Sequence, residues 1–499
     1  MTFVQNFPFF SIMISMFSGI IASVLGGKKA RNMCVGSLGT VVLLSATTLL
    51  YTIRTGESYT YMMGHFPAPW GNEIRVGILE CVLATFFALV LLLSVISTYH
   101  KTEEDVETKK LNLFYLLINL LLSSLLAIIY TNDLFTAYVF VEINTIAACG
   151  LIMIRQVGRT IVAAVRYMCI SLIGSGLFLI GLSMLYSMTG QLLMEPAKAA
   201  VGELVATNAY QVPLLITLVF MSVGLAIKSG LYPFHSWMPD AYSYSTTSSS
   251  AVLSGLVSKA YIILLIKILY RVFGTEYFVN SHLTNILFLF GLVGMIMGSV
   301  NAILEKDIRR MIAFSSVTQI GYIYLGLGMG TELGVVAAIY HMIHHAVIKA
   351  LLFSSVVGLS NVSGGSKLFP DLRGAAFRHK IAGVGFAVGS FSMVGIPMFS
   401  GFVAKYLFAT AGMYLGAEKL ALTLIVLAIS TILNAIYFIH TVVTIYTPSE
   451  KDKESVQGTW HEKPWVILGQ SVFILLNFVL GLYSGPVIDL LTKGLQMFG

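Results

Sequence analysis

The stretch Tyr340-His-Met-Ile-His-His-Ala-Val-Ile-Lys349-Ala-Leu-Leu-Phe353 places three histidines and a lysine inside an apolar run long enough to cross a bilayer. An ionisable side chain at the centre of a spanning helix costs roughly 2.5–3.5 kcal/mol, and it almost always faces an interior or a water path. His341, His345 and Lys349 are four residues apart, so they share one helix face, with His344 beside them. The segment predicts a polar line inside a membrane protein. A metal site at His341 and His345 is the alternative, but no third ligand is evident.

Composition defines the class of protein. Hydrophobic residues make up 57% of the 499 positions and charged residues only 11%, with a mean hydropathy of +0.85, which excludes a soluble globular protein. The segments are continuously apolar without alternation, which excludes a β-barrel and predicts an all-α polytopic membrane protein. A window of about twenty residues finds about fourteen transmembrane helices. They begin near Phe9, Met33, Val76, Leu111, Leu134, Ile161, Val212, Ser248, Leu283, Ile308, Leu333, Ile381, Leu420 and Trp465. No basic residue precedes Phe9, so we expect the first segment to be a retained span.

The basic residues are distributed unevenly over the loops. Eighteen of them follow odd-numbered spans: Lys28, Lys29, Arg31, Lys101, Lys109, Lys110, Arg155, Arg159, Lys306, Arg309, Arg310, Lys367, Arg373, Arg378, Lys380, Lys451, Lys453 and Lys463. The even loops hold Arg54, Arg75, Lys198, Arg271 and Lys419. By the positive-inside rule the odd loops are cytoplasmic and both termini lie outside, in a multi-pass protein of the cell (inner) membrane. The excess of positive charge therefore indicates topology, and we expect no nucleic-acid partner.

No motif for a cofactor is present. The four cysteines, Cys34, Cys81, Cys149 and Cys169, form no C-x-x-C pair or cluster for iron–sulfur or zinc. A phosphate-binding G-x-x-x-x-G-K-[ST] loop is also missing. The sequence predicts neither a cofactor, a metal nor a catalytic site of its own.

The fifth span carries Glu142 on a polar stripe with Tyr138, Thr145 and Cys149. A carboxylate at this depth needs a cation or a proton. Exchange of a proton and a structural ion pair between two helices are both open interpretations.

The seventh span ends at Lys228, followed by a glycine, Pro233, His235 and Pro239. Proline breaks helices, and a broken helix at membrane depth is typical of transporter ion sites. The alternative is an ordinary helix end, with residues 233–250 as a loop. The run Tyr242–Ser250 of nine Tyr, Ser and Thr residues fits that loop or a wetted helix start.

The eighth span holds Lys259 in apolar sequence with no acid within one turn. A desolvated lysine exchanges its proton near neutral pH, so Lys259 is a candidate relay, and pairing to an acid on another helix is the alternative. Lys267, nearer the segment end, is expected to snorkel to the interface.

The twelfth span repeats the interruption, with Gly395 and Pro397 followed by Lys405. The offset from Lys228 to Lys405 is 177 residues, and it carries Glu142 to Gln319, within another polar stripe. Interrupted segments in two halves predict an internal repeat, and five spans per repeat make the halves inverted. The expected division is three helices in 1–110, five-helix repeats in 111–275 and 276–450, and a last helix in 451–499.

These segments together resemble the antiporter-like family, which comprises the large membrane-arm subunits of respiratory complex I, Mrp-type antiporter subunits and subunits of energy-converting hydrogenases. The chain is most similar to the Mrp D type, from the tract Phe66-Pro-Ala-Pro-Trp-Gly71, the pair His344-His345, Lys405 and the length.

The resemblance implies fourteen helices with two inverted five-helix repeats and broken helices 7 and 12. It implies a proton pathway, listed in chain order as Glu142, Lys228, Lys259, His341, His345, Lys349 and Lys405. Arg166, His235, His344 and Gln319 would support it. Arg166 stands where relatives often have lysine, so it preserves charge without proton exchange.

Three functions are therefore open. The first is a proton-translocating subunit of a multisubunit Mrp-type cation/proton antiporter, with Na⁺ exchange left undecided. The second is the pump subunit of a redox-driven complex, either NADH-quinone oxidoreductase-like or an energy-converting hydrogenase. The third is a structural scaffold. The expected partners are other membrane subunits, H⁺, Na⁺ in the exchanging case, and the lipid bilayer.

Overall fold

The structure is a computed structural model that describes residues 3–63, 66, 71–448 and 463–498. Two features of the sequence analysis lie outside these residues. One is the part of the Phe66–Gly71 tract from Pro67 to Trp70, and the other is the loop that holds Lys451 and Lys453.

The described chain is almost entirely helical, since apolar segments in lipid satisfy their backbone N–H and C=O groups within a helix. The α-helices are α1 (Phe7–Val24), α2 (Gly27–Thr55), α3 (Ile78–Asp105), α4 (Leu111–Tyr130), α5 (Leu134–Met153), α6 (Gly158–Thr189), α7 (Met194–Ala206), α8 (Gln211–Ser229), α9 (Met238–Tyr244), α10 (Thr247–Val252), α11 (Ser258–Ile268), α12 (Thr275–Asn280), α13 (Leu283–Leu304), α14 (Ile308–Gly328), α15 (Glu332–Asn361), α16 (Ala375–Arg378), α17 (Lys380–Val394), α18 (Ser400–Gly412), α19 (Ala417–Tyr446), α20 (Pro464–Leu482) and α21 (Ser484–Gln496). Strands β1 (Tyr59–Met62) and β2 (Glu73–Val76) form one antiparallel hairpin.

Fourteen crossings follow from these helices. Thirteen stretches of the described chain are long and apolar enough to span a membrane. The pair α17 and α18 makes the fourteenth, since α17 alone has 15 residues and reaches only about 22 Å at about 1.5 Å per residue. The all-α polytopic fold is confirmed, and the largest error in a predicted start is six residues, at α2.

The seventh and twelfth membrane crossings, here called crossings 7 and 12, are both broken, as the prolines and glycines predict. Crossing 7 stops at the end of α8, where Gly230 adopts a left-handed φ of +78°, and it resumes through a 3₁₀ turn, Phe234–Trp237, into α9. Crossing 12 stops at the end of α17, where Gly395 has a φ of +89°. The alternative of a loop over 233–250 is wrong, because α9 and α10 occupy most of it and lie largely buried.

The same helix cap and the same backbone bridge occur in both halves of the chain. Asp133 caps the N-terminus of α5 by accepting from the Thr136 N–H at 2.6 Å, and its backbone bridges to Leu193. Asp307 caps α14 by accepting from the Arg309 N–H at 2.7 Å. Its backbone bridges to Leu368 in the same antiparallel manner. Counted from these caps, Glu142 corresponds to Ser316, three residues before Gln319.

Helix contacts repeat in the same order. In the first half α4 packs on α5, α5 on α6, α6 on α8, α8 on α11, and α11 on α4. In the second half α13 packs on α14, α14 on α15, α15 on α17, α17 on α19, and α19 on α13. The two groups of five helices meet where α15 packs against crossing 8, which is the span Thr247–Phe273. The core residues of both elements are buried.

Candidate functional site

Lys228 lies in the last turn of α8, directly before the break, and is buried. Its Nζ is 3.8 Å from Oε1 of Glu142 on α5, whose side chain is 23% exposed. The ammonium also donates to Thr145 Oγ1 at 2.8 Å and to Ser171 Oγ at 3.3 Å. The stripe that the sequence placed on α5 therefore supplies two of the three side chains that hold Lys228.

A tyrosine of crossing 8 completes this surrounding. Lys228 Nζ lies 5.4 Å from the ring centroid of Tyr261, within reach of a cation–π contact. The Tyr261 hydroxyl donates to Asn144 Oδ1 at 3.0 Å, and Asn144 Nδ2 donates to Ser124 Oγ at 2.9 Å. Neutral groups thus solvate the ammonium, and Glu142 is the one carboxylate paired with it among the described residues.

Lys259 is fully buried and forms no ion pair in the described part of the chain. It follows a π-helical turn, Leu253–Val257, that widens crossing 8, and its ammonium donates to the Ser254 carbonyl. Such turns occur frequently at functional sites. The pairing of Lys259 to an acid, which the sequence left open, is not found in the described residues.

The face of α15 that the sequence singled out points into the core. Lys349 donates to the Ile312 carbonyl at 2.7 Å and to Ser315 Oγ at 2.5 Å. The rings of His341 and His345 are stacked with centroids 6.3 Å apart, and none of their nitrogens has a hydrogen-bond partner among the described residues. Buried imidazoles are hydrogen-bonded as a rule, so these two rings stand out among the buried polar groups of the described residues.

Lys405 of α18 and His344 of α15 both contact residues at the break in crossing 12. Lys405 Nζ donates to the Val394 carbonyl at 2.6 Å and to Thr431 Oγ1 at 2.9 Å. It also lies 5.8 Å from the ring of Tyr322, which stacks on His341 at 5.2 Å. His344 Nδ1 is 2.8 Å from Ser400 Oγ, at the start of α18.

Helix packing and ring contacts join these groups into a series. Crossing 8, which carries Lys259, packs against α15, where the rings of His341 and His345 stack on each other. The ring of Tyr322 contacts both His341 and the ammonium of Lys405. The structure therefore brings together Lys259, the α15 face and Lys405. Glu142 and Lys228 form a second group, whose contact with crossing 8 is through Tyr261.

The supporting residues have separate places. Arg166 pairs with Asp240 of α9, whose other oxygen is 2.8 Å from Arg310 Nη1. His235 stacks on Tyr232 with centroids 5.0 Å apart and bonds to none of the buried lysines. Gln319 is buried in α14, and its Nε2 has no acceptor among the residues described.

Sequence reasoning missed Asn477 of α20. Its Oδ1 accepts from Ser392 Oγ at 2.9 Å, from Ser400 Oγ at 2.5 Å and from the Ser400 N–H at 3.3 Å, so it joins both sides of the crossing 12 break. Ser400 in turn contacts His344. The presence of an asparagine in an otherwise apolar span is the sequence signal that could have indicated this contact.

A buried charge cluster was also misjudged. Lys267 does not snorkel, because it is fully buried and its ammonium caps the end of α4, donating to the Ile129 carbonyl at 2.7 Å. Arg271 is not a loop residue, since it forms an ion pair with Glu80 of α3 in which both side chains are at most 3% exposed. The i, i+4 spacing of Lys267 and Arg271, together with an acid in α3, could have indicated this cluster.

Metal ligands do not assemble in the described residues, where no three or more His, Cys, Asp or Glu side chains come together as a metal site. The ring of His341 contacts the rings of His344, His345, Tyr322 and Phe408.

Comparison with known proteins places this geometry in a family. Residues 131–433 match the model described as NADH:quinone oxidoreductase/Mrp antiporter, TM. The chain is 32% identical over 447 residues to NADH-quinone oxidoreductase subunit N of Desulforudis audaxviator (strain MP104C), covering 88% of this chain and 86% of that protein.

Solved structures share the fold. A chain of the membrane-bound sulfane sulfur reductase (MBS), an archaeal respiratory membrane complex, superposes with a TM-score of 0.88 at 24% identity, covering 98% of this chain and 97% of that one. A chain of the Mrp complex from Dietzia sp. DQ12-45-1b gives a TM-score of 0.86 at 21% identity, with all of both chains covered. The family resemblance in the sequence is confirmed, and this chain belongs to the NADH:quinone oxidoreductase/Mrp antiporter transmembrane family.

Proposed function

We propose that this chain is the proton-translocating subunit of a multisubunit cation/proton antiporter of the Mrp type. The observation that carries the proposal is a series of lysines inside spanning segments: Lys228, Lys259 and Lys349, which are buried, and Lys405, which is half-buried. Buried lysines and histidines exchange protons, and they do not coordinate Na⁺. We therefore assign proton movement to this chain and Na⁺ binding to carboxylates of partner subunits.

The proposed pathway includes every residue that the sequence selected. Glu142 and Lys228 form the coupling pair, Lys259 is the central carrier, His341, His345 and Lys349 continue the line, and Lys405 ends it. His344 and Gln319 line its sides. Arg166 and His235 support the elements around the crossing 7 break.

Electrostatics supplies a mechanism. While Lys228 stays beside Glu142, the carboxylate balances its charge. When that pair opens, Lys228 moves toward Lys259, and the positive charge on Lys259 becomes unfavourable because the two ammonium groups repel each other. At an effective dielectric constant near 20, two unit charges about 6 Å apart interact by roughly 3 kcal/mol. Moving one charge against about 100 mV takes about 2.3 kcal/mol, so the repulsion has the size needed to expel a proton.

The proposed architecture follows the sequence division: three helices in 1–110, inverted repeats in 111–275 and 276–450, and a last helix in 451–499. The matched Asp133 and Asp307 caps support the repeats. The halves run in opposite directions, because five crossings separate equivalent helices. Basic side chains of odd loops, including Lys101, Arg155 and Lys367, gather on one face. We propose that this face is cytoplasmic, in the cell membrane, with both termini outside.

A second candidate is the pump subunit of a redox-driven complex. It is favoured by the 32% identity to a protein named NADH-quinone oxidoreductase subunit N. In that case the energy would come from partner subunits that carry the electron-transfer groups. Purifying the native complex and recording its visible spectrum separates the candidates, because iron–sulfur or flavin absorption belongs only to the redox complex.

The test of proton translocation is reconstitution of the purified complex into vesicles with a pH-sensitive dye inside. Lys259→Met is expected to abolish the dye response to a cation gradient while the complex still assembles. Lys109→Met, which removes an exposed lysine just before α4, is the matched control. Normal transport by Lys259→Met would overturn the proposal, and loss of assembly would favour the scaffold function.

A further inference from the structure

A second charged site lies at the end of the bundle, away from the buried lysines. Where α3 and α15 end and α14 begins, a cavity of about 180 Å³ is lined by Lys101, Asp105, Arg155, Arg309, Asn361 and Lys367. These residues come from four separate parts of the chain. We call this space the basic cavity.

Positive charge exceeds negative charge in its lining. Four cationic side chains line the cavity with one carboxylate, Asp105, whose Oδ1 is 3.7 Å from Arg155 Nη2, while Lys101 pairs at 3.1 Å with Glu104 outside the lining. Burial, together with the positive charges of Arg309 and Arg155, lowers the pKa of Lys367 to about 8, although Asp307 and Asp105 act in the opposite direction. An anion inside the cavity would relieve this repulsion.

Unused hydrogen-bond donors point to the same conclusion. Arg309 is 3% exposed, and its Nη2 donates to the Ser245 carbonyl at 2.8 Å and to Ser250 Oγ at 2.5 Å. Its Nε and the Nε of Arg155 are buried and have no partner among the described residues. A buried guanidinium donor without an acceptor is costly, and a planar guanidinium matches phosphate oxygens well.

The surroundings fit a lipid headgroup in size and depth. A neighbouring cavity of about 150 Å³ shares Lys101, Val357 and Asn361 with the basic cavity and is also lined by Val466. Both lie where spanning helices end, at the level of lipid headgroups, and basic pockets between helices bind anionic headgroups. The neighbouring cavity is mainly polar, since His100, Glu104 and Lys463 line it together with two valines, so the two cavities form one polar region at the helix ends.

We propose that the basic cavity binds a phosphate group, either that of an anionic phospholipid or a free phosphate ion. This site is separate from the proton pathway and does not depend on the proposed function. Lys367, Lys101 and Arg155 hold the charge, and the buried Arg309 provides the fixed donor at its base.

The test uses the full complex in nanodiscs of phosphatidylcholine, which has no net charge. One arm measures binding of added phosphatidylglycerol by native mass spectrometry, and the other measures binding of radiolabelled inorganic phosphate by equilibrium dialysis. Lys367→Gln is expected to weaken binding about tenfold, the effect of losing one charge-assisted hydrogen bond. Lys306→Gln, which removes an exposed charge from the same face outside the cavity, is expected to leave binding unchanged.

The two arms identify the source of the phosphate. Binding of phosphatidylglycerol alone assigns the site to a lipid, whereas binding of both probes assigns it to any phosphate anion. Lys101→Gln serves as a second variant if Lys367→Gln fails to assemble. The proposal is overturned if neither probe binds, or if Lys306→Gln weakens binding as much as the cavity variants, since that result means a general surface charge effect.

Discussion

The ammonium of Lys228 lies 3.8 Å from the carboxylate of Glu142 and 2.8 Å from the hydroxyl of Thr145, at the point where α8 breaks. Glu142 is the more exposed partner of the pair, with 23% of its side chain accessible against 0% for Lys228. The pair therefore joins a fully enclosed ammonium to a carboxylate that is partly accessible.

We expect Glu142→Gln to reduce cation-driven proton transport at least about tenfold, because at about 4 Å the pair loses an attraction of roughly 4 kcal/mol at an effective dielectric constant of 20. Vesicle transport normalised to assembled complex is the measurement. Glu142→Asp keeps the charge on a shorter side chain and should retain part of the activity. Equal activity of the Gln variant and the parent would show that the pair is structural.

Replacing Lys259 by arginine separates charge from proton exchange. The guanidinium keeps the positive charge but does not release its proton near neutral pH. We expect Lys259→Arg to assemble and to be as inactive in transport as Lys259→Met. Near-normal transport by the arginine variant would contradict a carrier role for Lys259.

Asn477 should hold the break of crossing 12 in place. Asn477→Leu leaves the Ser392 and Ser400 donors without their acceptor, and we expect a loss of about 1–3 kcal/mol in stability for such buried donors. Detergent-induced unfolding of the reconstituted complex measures this loss. Asn477→Gln retains the uncharged amide acceptor on a longer side chain and should keep part of the stability, and an undiminished midpoint for the leucine variant would refute the bridging role.

The Glu80–Arg271 pair is expected to serve stability. Breaking a buried pair leaves one charge uncompensated, so Glu80→Gln should cost about 3–5 kcal/mol in unfolding free energy. The double variant Glu80→Met with Arg271→Met should recover much of that loss, because it removes both charges. Full stability of the single variant would be inconsistent with the pair seen in the structure.

Anionic lipid binding should depend on pH through Lys367. Its pKa is lowered to about 8, first by burial and then by Arg309 and Arg155, so the ammonium form is complete below that value and is lost as pH rises through it. We expect affinity for phosphatidylglycerol, whose phosphodiester does not titrate in this range, to fall as pH rises above about 8. Lys367→Gln should bind weakly at every pH; a parent protein without this decline would exclude Lys367 from the site.

Local features of the chain were readable because each has a direct sequence signature. Continuous apolar runs require helices in lipid, and the glycine and proline clusters at 230–239 and 395–397 break them wherever they occur. Ionisable residues in such runs must face inward, so Glu142, Lys228, Lys259, Lys349 and Lys405 could be selected without coordinates.

Which groups each buried side chain contacts depended on the tertiary structure. Position along the chain placed Lys267 near a span end, but only the packing of α4 against crossing 8 brings three backbone carbonyls to its ammonium and makes burial favourable. Likewise Arg271 meets Glu80 across 191 positions of sequence, and Asn477 meets Ser392 across 85. The sequence thus determines which side chains must be kept out of the lipid, because the cost of exposing an ionisable group to lipid is a property of each residue alone. Which groups they then meet is decided by helix packing, because the energy of a contact belongs to a pair.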